Sequence, residues 1–186
     1  MKHLFVVGAP GSRWSSVARN ITTDVKHFNV SDHGSSFTFP GESRPNHVGA
    51  YWDPGNGQGE WFNNTEEFTK EDFLVEFNKP FTDDEQHRNK VKLVKSHALS
   101  CSLDRLATMF PFDPIVLVYR QNEDCFDWWK EIGGFDITHP NYDWYENDDK
   151  MQEEIACQND CILEFINNNA SHCHKIQNAN QLSKVL

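Results

Sequence analysis

The chain has 186 residues, enough for one sizeable core and too few for two ordinary domains. With 38% hydrophobic, 24% charged and 13% aromatic residues its composition is globular, which excludes a disordered chain. A formal net charge of −11 argues against general nucleic-acid binding and against docking on an anionic membrane, and requires that any anionic ligand sit where the few basic residues are gathered.

The apolar run in Met1–Gly8 is too short for a signal peptide or a membrane span, so the expected compartment is the cytoplasm. Five cysteines are an odd number and lack metal-ligand spacing. Cys157 and Cys161, one helical turn apart, read as two buried thiols, and no metal is expected. His172-Cys173-His174 is contiguous and lacks a fourth ligand, so it reads as incidental.

In chain order, His3–Val7 reads as a buried strand that stops at the turn Gly8-Ala9-Pro10-Gly11. Trp14, Val17, Ala18, Ile21, Val25 and Phe28 follow at helical spacing. Residues 31–65, rich in Gly, Ser, Pro and Asn with Tyr51, Trp52, Trp61 and Phe62 interspersed, form a long loop: either a lid or acceptor wall, or a loop that folds its aromatics onto the core. Phe68, Phe73, Leu74 and Phe77 mark a helix, Val91–Val94 a strand, and Leu99 to Phe110 another helix. Ile115–Tyr119 is the most β-prone stretch. A helix carrying Cys125, Trp128, Trp129 and Ile132 comes next, and one marked by Met151, Ile155, Ile162, Phe165 and Ile166 closes the chain. This alternation predicts an α/β fold, of the P-loop type, in which a mainly parallel central sheet is flanked by helices in three layers. One domain is expected over residues 1–186, with 31–65 as a loop insertion.

Ligands of open α/β sheets bind at the carboxyl ends of the strands. Three strands end in polar sets: Gly8–Ser16, Lys95-Ser96-His97 and Tyr119-Arg120. The first is a turn of backbone amides feeding a helix N-terminus, an anion cradle by its dipole and its unpaired donors; alone it equally fits a serine-capped helix. A Walker A loop counted from Gly8 would put Gly, Lys and Ser/Thr at Arg13, Trp14 and Ser15, and only the serine matches. Without that lysine, ATP or GTP hydrolysis is disfavoured.

Taken together, the three sets resemble the sulfotransferase family. Pro10-Gly11-Ser12-Arg13-Trp14-Ser15-Ser16 is similar to its phosphosulfate loop, Lys95-Ser96-His97 to its Lys-Thr-His motif, and Arg120-Gln121-Asn122-Glu123-Asp124 to its Arg-Asn-Pro-x-Asp strand end. The resemblance spans roughly residues 2–130. It implies a small sulfotransferase that moves a sulfuryl group from 3′-phosphoadenosine 5′-phosphosulfate to a hydroxyl or amine acceptor, leaving adenosine 3′,5′-bisphosphate. Gly11, Ser12, Arg13, Trp14, Ser15 and Ser16 would hold the 5′-phosphosulfate, and Arg120 the 3′-phosphate. Lys95 would neutralise charge on the transferred group, and His97 would be the general base. The implied partner is a small-molecule or glycan acceptor. Two family positions depart: the loop lysine falls on Gly11, and the serine eight residues after the arginine falls on Trp128.

Other readings stand beside these. His97 could be a strand-end histidine with a structural hydrogen bond, and Arg120 could pair with Glu123 or Asp124. Trp128 and Trp129 read as core and rim packing. The alternatives to a sulfotransferase are a non-catalytic module holding a nucleotide or polyanion, and a P-loop small-molecule kinase.

Overall fold

The computed structural model describes residues 2–24, 27–29, 50–51, 67–78, 81–137 and 142–172. Most of the 31–65 loop, Val25 and Cys173-His174 lie outside the described residues. The elements run β1 (His3–Gly8), α1 (Trp14–Asp24), β2 (Phe28–Asn29), β3 (Ala50–Tyr51), α2 (Lys70–Asn78), β4 (Val91–Ser96), α3 (Leu103–Met109), β5 (Ile115–Val118), α4 (Asn122–Glu131) and α5 (Asp148–Asn168).

Four strands pair in the order β2-β4-β1-β5, and every pairing is parallel. β3 pairs with β4 as well, placing Tyr51 opposite Lys95. Six consecutive buried residues make β1 the central strand, apolar on both faces as a strand covered by helices must be. Leu4 and Val6 pack with Leu93 against Trp14, Ala18 and Ile21 of α1. Phe5, Val7 and Val94, on the opposite face, meet Phe73 and Phe77 of α2, Leu103 and Leu106 of α3, and Ile162 of α5. The result is an α/β fold with helices on both faces of a parallel sheet. No helix among the described residues is long and apolar enough to cross a membrane.

Besides shifts of element ends and Ala50–Tyr51, a strand inside the expected 31–65 loop, two sequence expectations change. Phe28 does not extend α1, which ends at Asp24; it sits in β2, its Cα paired with that of Val91. Phe28 still fills the α1-side core, because a strand returning along the sheet delivers a side chain to the same layer as another helical turn would. The second change concerns the cysteines. Cys157 is exposed, and Cys161 is bonded to Cys101 in a disulfide. The buried face of α5 is set by Met151, Ile155 and Ile162, and at about 100° per residue position 157 points away from it. Two buried thiols are therefore not what this helix carries.

Candidate functional site

The order of the strands decides where a site can form. β1 leads through α1 to one side of the sheet, while β5 pairs on the other, so the loop after β1 stands where connections diverge at the carboxyl edge. Register brings the three polar strand ends to one level. Val7 lies opposite Ser96 and Leu117, and Gly8 lies opposite Val118.

The loop after β1 is a tight turn. Ser12 N–H donates to the Ala9 carbonyl at 3.0 Å, with Pro10 and Gly11 as the central residues and Gly11 at φ +73°. That is the type II pattern, in which proline presets the first central residue and only glycine enters the second freely. Gly11 is also pressed onto α4: a Cβ there would overlap the Cys125 carbonyl oxygen and lie 3.1 Å from the Trp129 Cβ. Arg120, beyond the end of β5, donates from Nη1 to the Gly11 carbonyl at 3.2 Å and so ties the turn to the third strand end. Its Nη2 lies 4.0 Å from the Asp124 carboxylate, a partly exposed pair of little energetic weight.

Around this turn the expected ligand-binding residues separate. Ser12 and Ser96 are buried, and among the described residues neither hydroxyl has a hydrogen-bond partner. The Ser12 Oγ lies over Gly8, where a Cβ would come within 2.6 Å of it. Trp14 is buried, Ser15 is half-buried and Ser16 is exposed. Arg13 takes φ +67°, a left-handed conformation costing a non-glycine residue about 1–2 kcal/mol. Its guanidinium lies 3.8 Å from the Trp128 ring centroid, a stacking contact that offsets part of that cost. Trp128 thus serves as a platform for Arg13, while Trp129 is fully buried against Phe135 and Tyr142. Lys95 is fully buried on β4, level with Val6.

His97 is the residue whose surroundings say most. It is fully buried, ringed by Trp14, Tyr142 and Tyr145 with centroids 5.9–6.4 Å away. Burial is the main cause that pushes its pKa down to about 3. The direction of its hydrogen bond with Gln158 follows from the neighbouring groups. Gln158 Nε2 lies 2.6 Å from Glu154 Oε1 and 3.0 Å from His97 Nδ1. A carboxylate only accepts, so the amide must turn its NH2 group towards Glu154, and the same nitrogen donates to His97. Nδ1 is therefore the acceptor, and the single proton of the neutral ring sits on Nε2. A base at neutral pH needs a free lone pair, and in this arrangement the Nδ1 lone pair is taken by Gln158.

Gln158 and Asn159 were not expected from the sequence. Asn159 Nδ2 donates to the Arg120 carbonyl at 3.0 Å and to Asn122 Oδ1 at 2.7 Å, holding the third strand end as Gln158 holds the second. Both lie on the apolar stripe between Ile155 and Ile162, where two amides on a core-facing position are themselves a signal.

The class this defines is an α/β protein with a parallel sheet, whose carboxyl edge gathers a glycine-pinned turn, two buried unpartnered hydroxyls, an arginine and a buried neutral histidine. No protein-family model, curated protein or solved structure matches the chain.

Proposed function

We propose that the carboxyl edge binds the 5′-phosphosulfate end of 3′-phosphoadenosine 5′-phosphosulfate in a P-loop-type site, and that the chain is a sulfotransferase. The observation that carries the reading is the pair of buried, unpartnered hydroxyls, Ser12 and Ser96, flanking the end of β1. A buried hydroxyl without a partner costs roughly 1–3 kcal/mol, and a group accepting from it would offset that cost. The start of α1 adds the positive end of a helix dipole, with no acidic residue in its first turn. Arg120 keeps further N–H donors beyond the one on Gly11, enough for a bidentate grip on a 3′-phosphate.

Within this reading His97 donates from Nε2–H to an oxygen of the transferred group and stabilises charge there, in place of the base expected from the motif. Lys95 adds positive charge from the neighbouring strand position. A second reading, a module that holds the nucleotide without transferring sulfate, is favoured by that same buried neutral histidine.

Thermal unfolding tests the ligand. Adenosine 3′,5′-bisphosphate at about 100 times its Kd is expected to stabilise the chain by about 2.7 kcal/mol, whereas ATP with magnesium leaves the Tm unchanged. A chain indifferent to the bisphosphate rules out both readings. Sulfate transfer to a panel of phenol, sugar and amine acceptors then separates them. An enzyme shows transfer that falls in His97→Ala with no inflection near pH 6.5 in the wild type, and a holder shows none.

A further inference from the structure

Cys101 lies in the 3-10 turn Ser100–Ser102 that follows His97, and Cys157 and Cys161 are one turn apart on α5. The three sulphurs all lie within 4.8 Å of one another. The Cys101–Cys161 disulfide, with its Cα atoms 5.1 Å apart, already links the turn to the helix and does not need a third sulphur. We propose that in the reduced chain Cys101, Cys157 and Cys161 together bind one thiophilic metal ion, of the Zn2+ or Cu+ class, and that the disulfide is the oxidised, ion-free state of the same site.

Three observations support the site. Thiolates on a common tetrahedral ion stand about 3.8 Å apart, given metal–sulphur bonds of about 2.3 Å, so the triad needs only small side-chain rotations. The surroundings favour a cation. The carboxylates of Glu154 and Asp160, on the same helix, both act on Cys157 and place negative charge beside a bound ion. A recess of about 420 Å³ lined by Cys101, Asp104, Arg105, Cys161 and Glu164 gives an approach for the ion and room for a fourth ligand from solvent.

The chemistry balances with a dithiol reductant. Its two thiols supply two electrons and two protons to the Cys101–Cys161 bond and become a disulfide. The ion then displaces the protons of the three thiols as three metal–sulphur bonds form. Soft thiolate ligands select such ions over Mg2+ or Ca2+. Because two of the ligands are also the disulfide, ion and oxidation exclude each other.

Cd2+ is a suitable probe, since its thiolate complexes absorb in the ultraviolet. Titrating the full chain after phosphine reduction is expected to give a thiolate band that saturates at one ion per chain, and no band in the oxidised chain. Cys157→Ser keeps the disulfide partners yet should weaken binding by more than the roughly 10–100-fold that loss of a supporting partner costs. Cys125→Ser and Cys173→Ser should bind as wild type, the latter separating this site from His172-Cys173-His174. Wild-type affinity in Cys157→Ser, loss of the band in Cys173→Ser, or equal binding by the oxidised chain would overturn the proposal. So would a reduced chain that loses its helical circular dichroism and does not regain it with Cd2+.

Discussion

Replacing Gly11 by lysine, the residue that the proposed likeness to a sulfotransferase loop would put there, is expected to disrupt the fold. Gly11→Ala isolates the cause. Its methyl group would overlap the Cys125 carbonyl oxygen and lie 2.7 Å from the carbonyl carbon, both backbone atoms of α4 that cannot rotate away. The backbone at φ +73° adds the left-handed penalty. Strain of about 1–2 kcal/mol and overpacking of about 1–3 kcal/mol together give a loss of roughly 2–5 kcal/mol, a large part of the total stability of a small domain. A longer side chain adds nothing favourable, because its first carbon is already excluded. Urea unfolding measures the effect, and a Gly11→Ala midpoint within error of wild type would mean that the turn does not press on α4 as described. The same contact leaves no room for a side chain at this position, and Arg13, two residues on, is turned onto Trp128.

Mild acid is expected to unfold the protein through His97. The folded ring has a pKa of about 3 against an ordinary 6.5, because burial penalises its charged form. Between those two values the unfolded chain binds a proton that the folded chain refuses, so stability rises with pH across the window. The contribution is complete above pH 6.5 and is lost as pH falls, at about 1.4 kcal/mol per pH unit. His3 acts with the same sign, its pKa lowered chiefly by burial and partly restored by Asn78 and Asp113. Stability measured by urea unfolding at successive pH values should therefore fall steeply below 6.5. In His97→Gln, which keeps a polar partner for Gln158 and cannot titrate, the slope should flatten by nearly one proton. An unchanged slope would show that the ring is not held neutral.

Much of this arrangement was legible in the residues, and the exceptions have physical causes. Local pattern identifies each main strand and helix because apolar periodicity reports burial, and burial is what the sheet and its covering helices create. The three strand-end motifs were legible for the same reason: each directly follows a strand, and parallel strands end on one edge. What local pattern cannot report is which distant residue completes a polar group. Gln158 and Asn159 lie 61 and 39 positions from His97 and Arg120, the groups they hold. Cys101 joins Cys161 across 60 residues. Phe28 shows a different limit, since a heptad-like spacing from Ile21 suits a helix as well as a strand that returns to the same layer. The role of His97 depended on all of these, because its tautomer is set by a glutamine and a glutamate on α5 and not by its own motif.

The central claim is that Ser12 and Ser96 are kept unpartnered for a ligand, and the double variant Ser12→Ala/Ser96→Ala tests it most directly when stability and affinity are measured on the same sample. Removing two buried hydroxyls that have no partner among the described residues should leave urea stability equal to or above wild type, since each costs roughly 1–3 kcal/mol where it stands. Calorimetric titration of adenosine 3′,5′-bisphosphate should show the opposite trend, a loss of at least about tenfold in affinity, as hydrogen bonds to a charged group contribute about 1.5–3 kcal/mol each. A stable variant that binds weakly is the expected result; a variant that binds the bisphosphate as tightly as wild type, or a wild type that does not bind it, would contradict the claim.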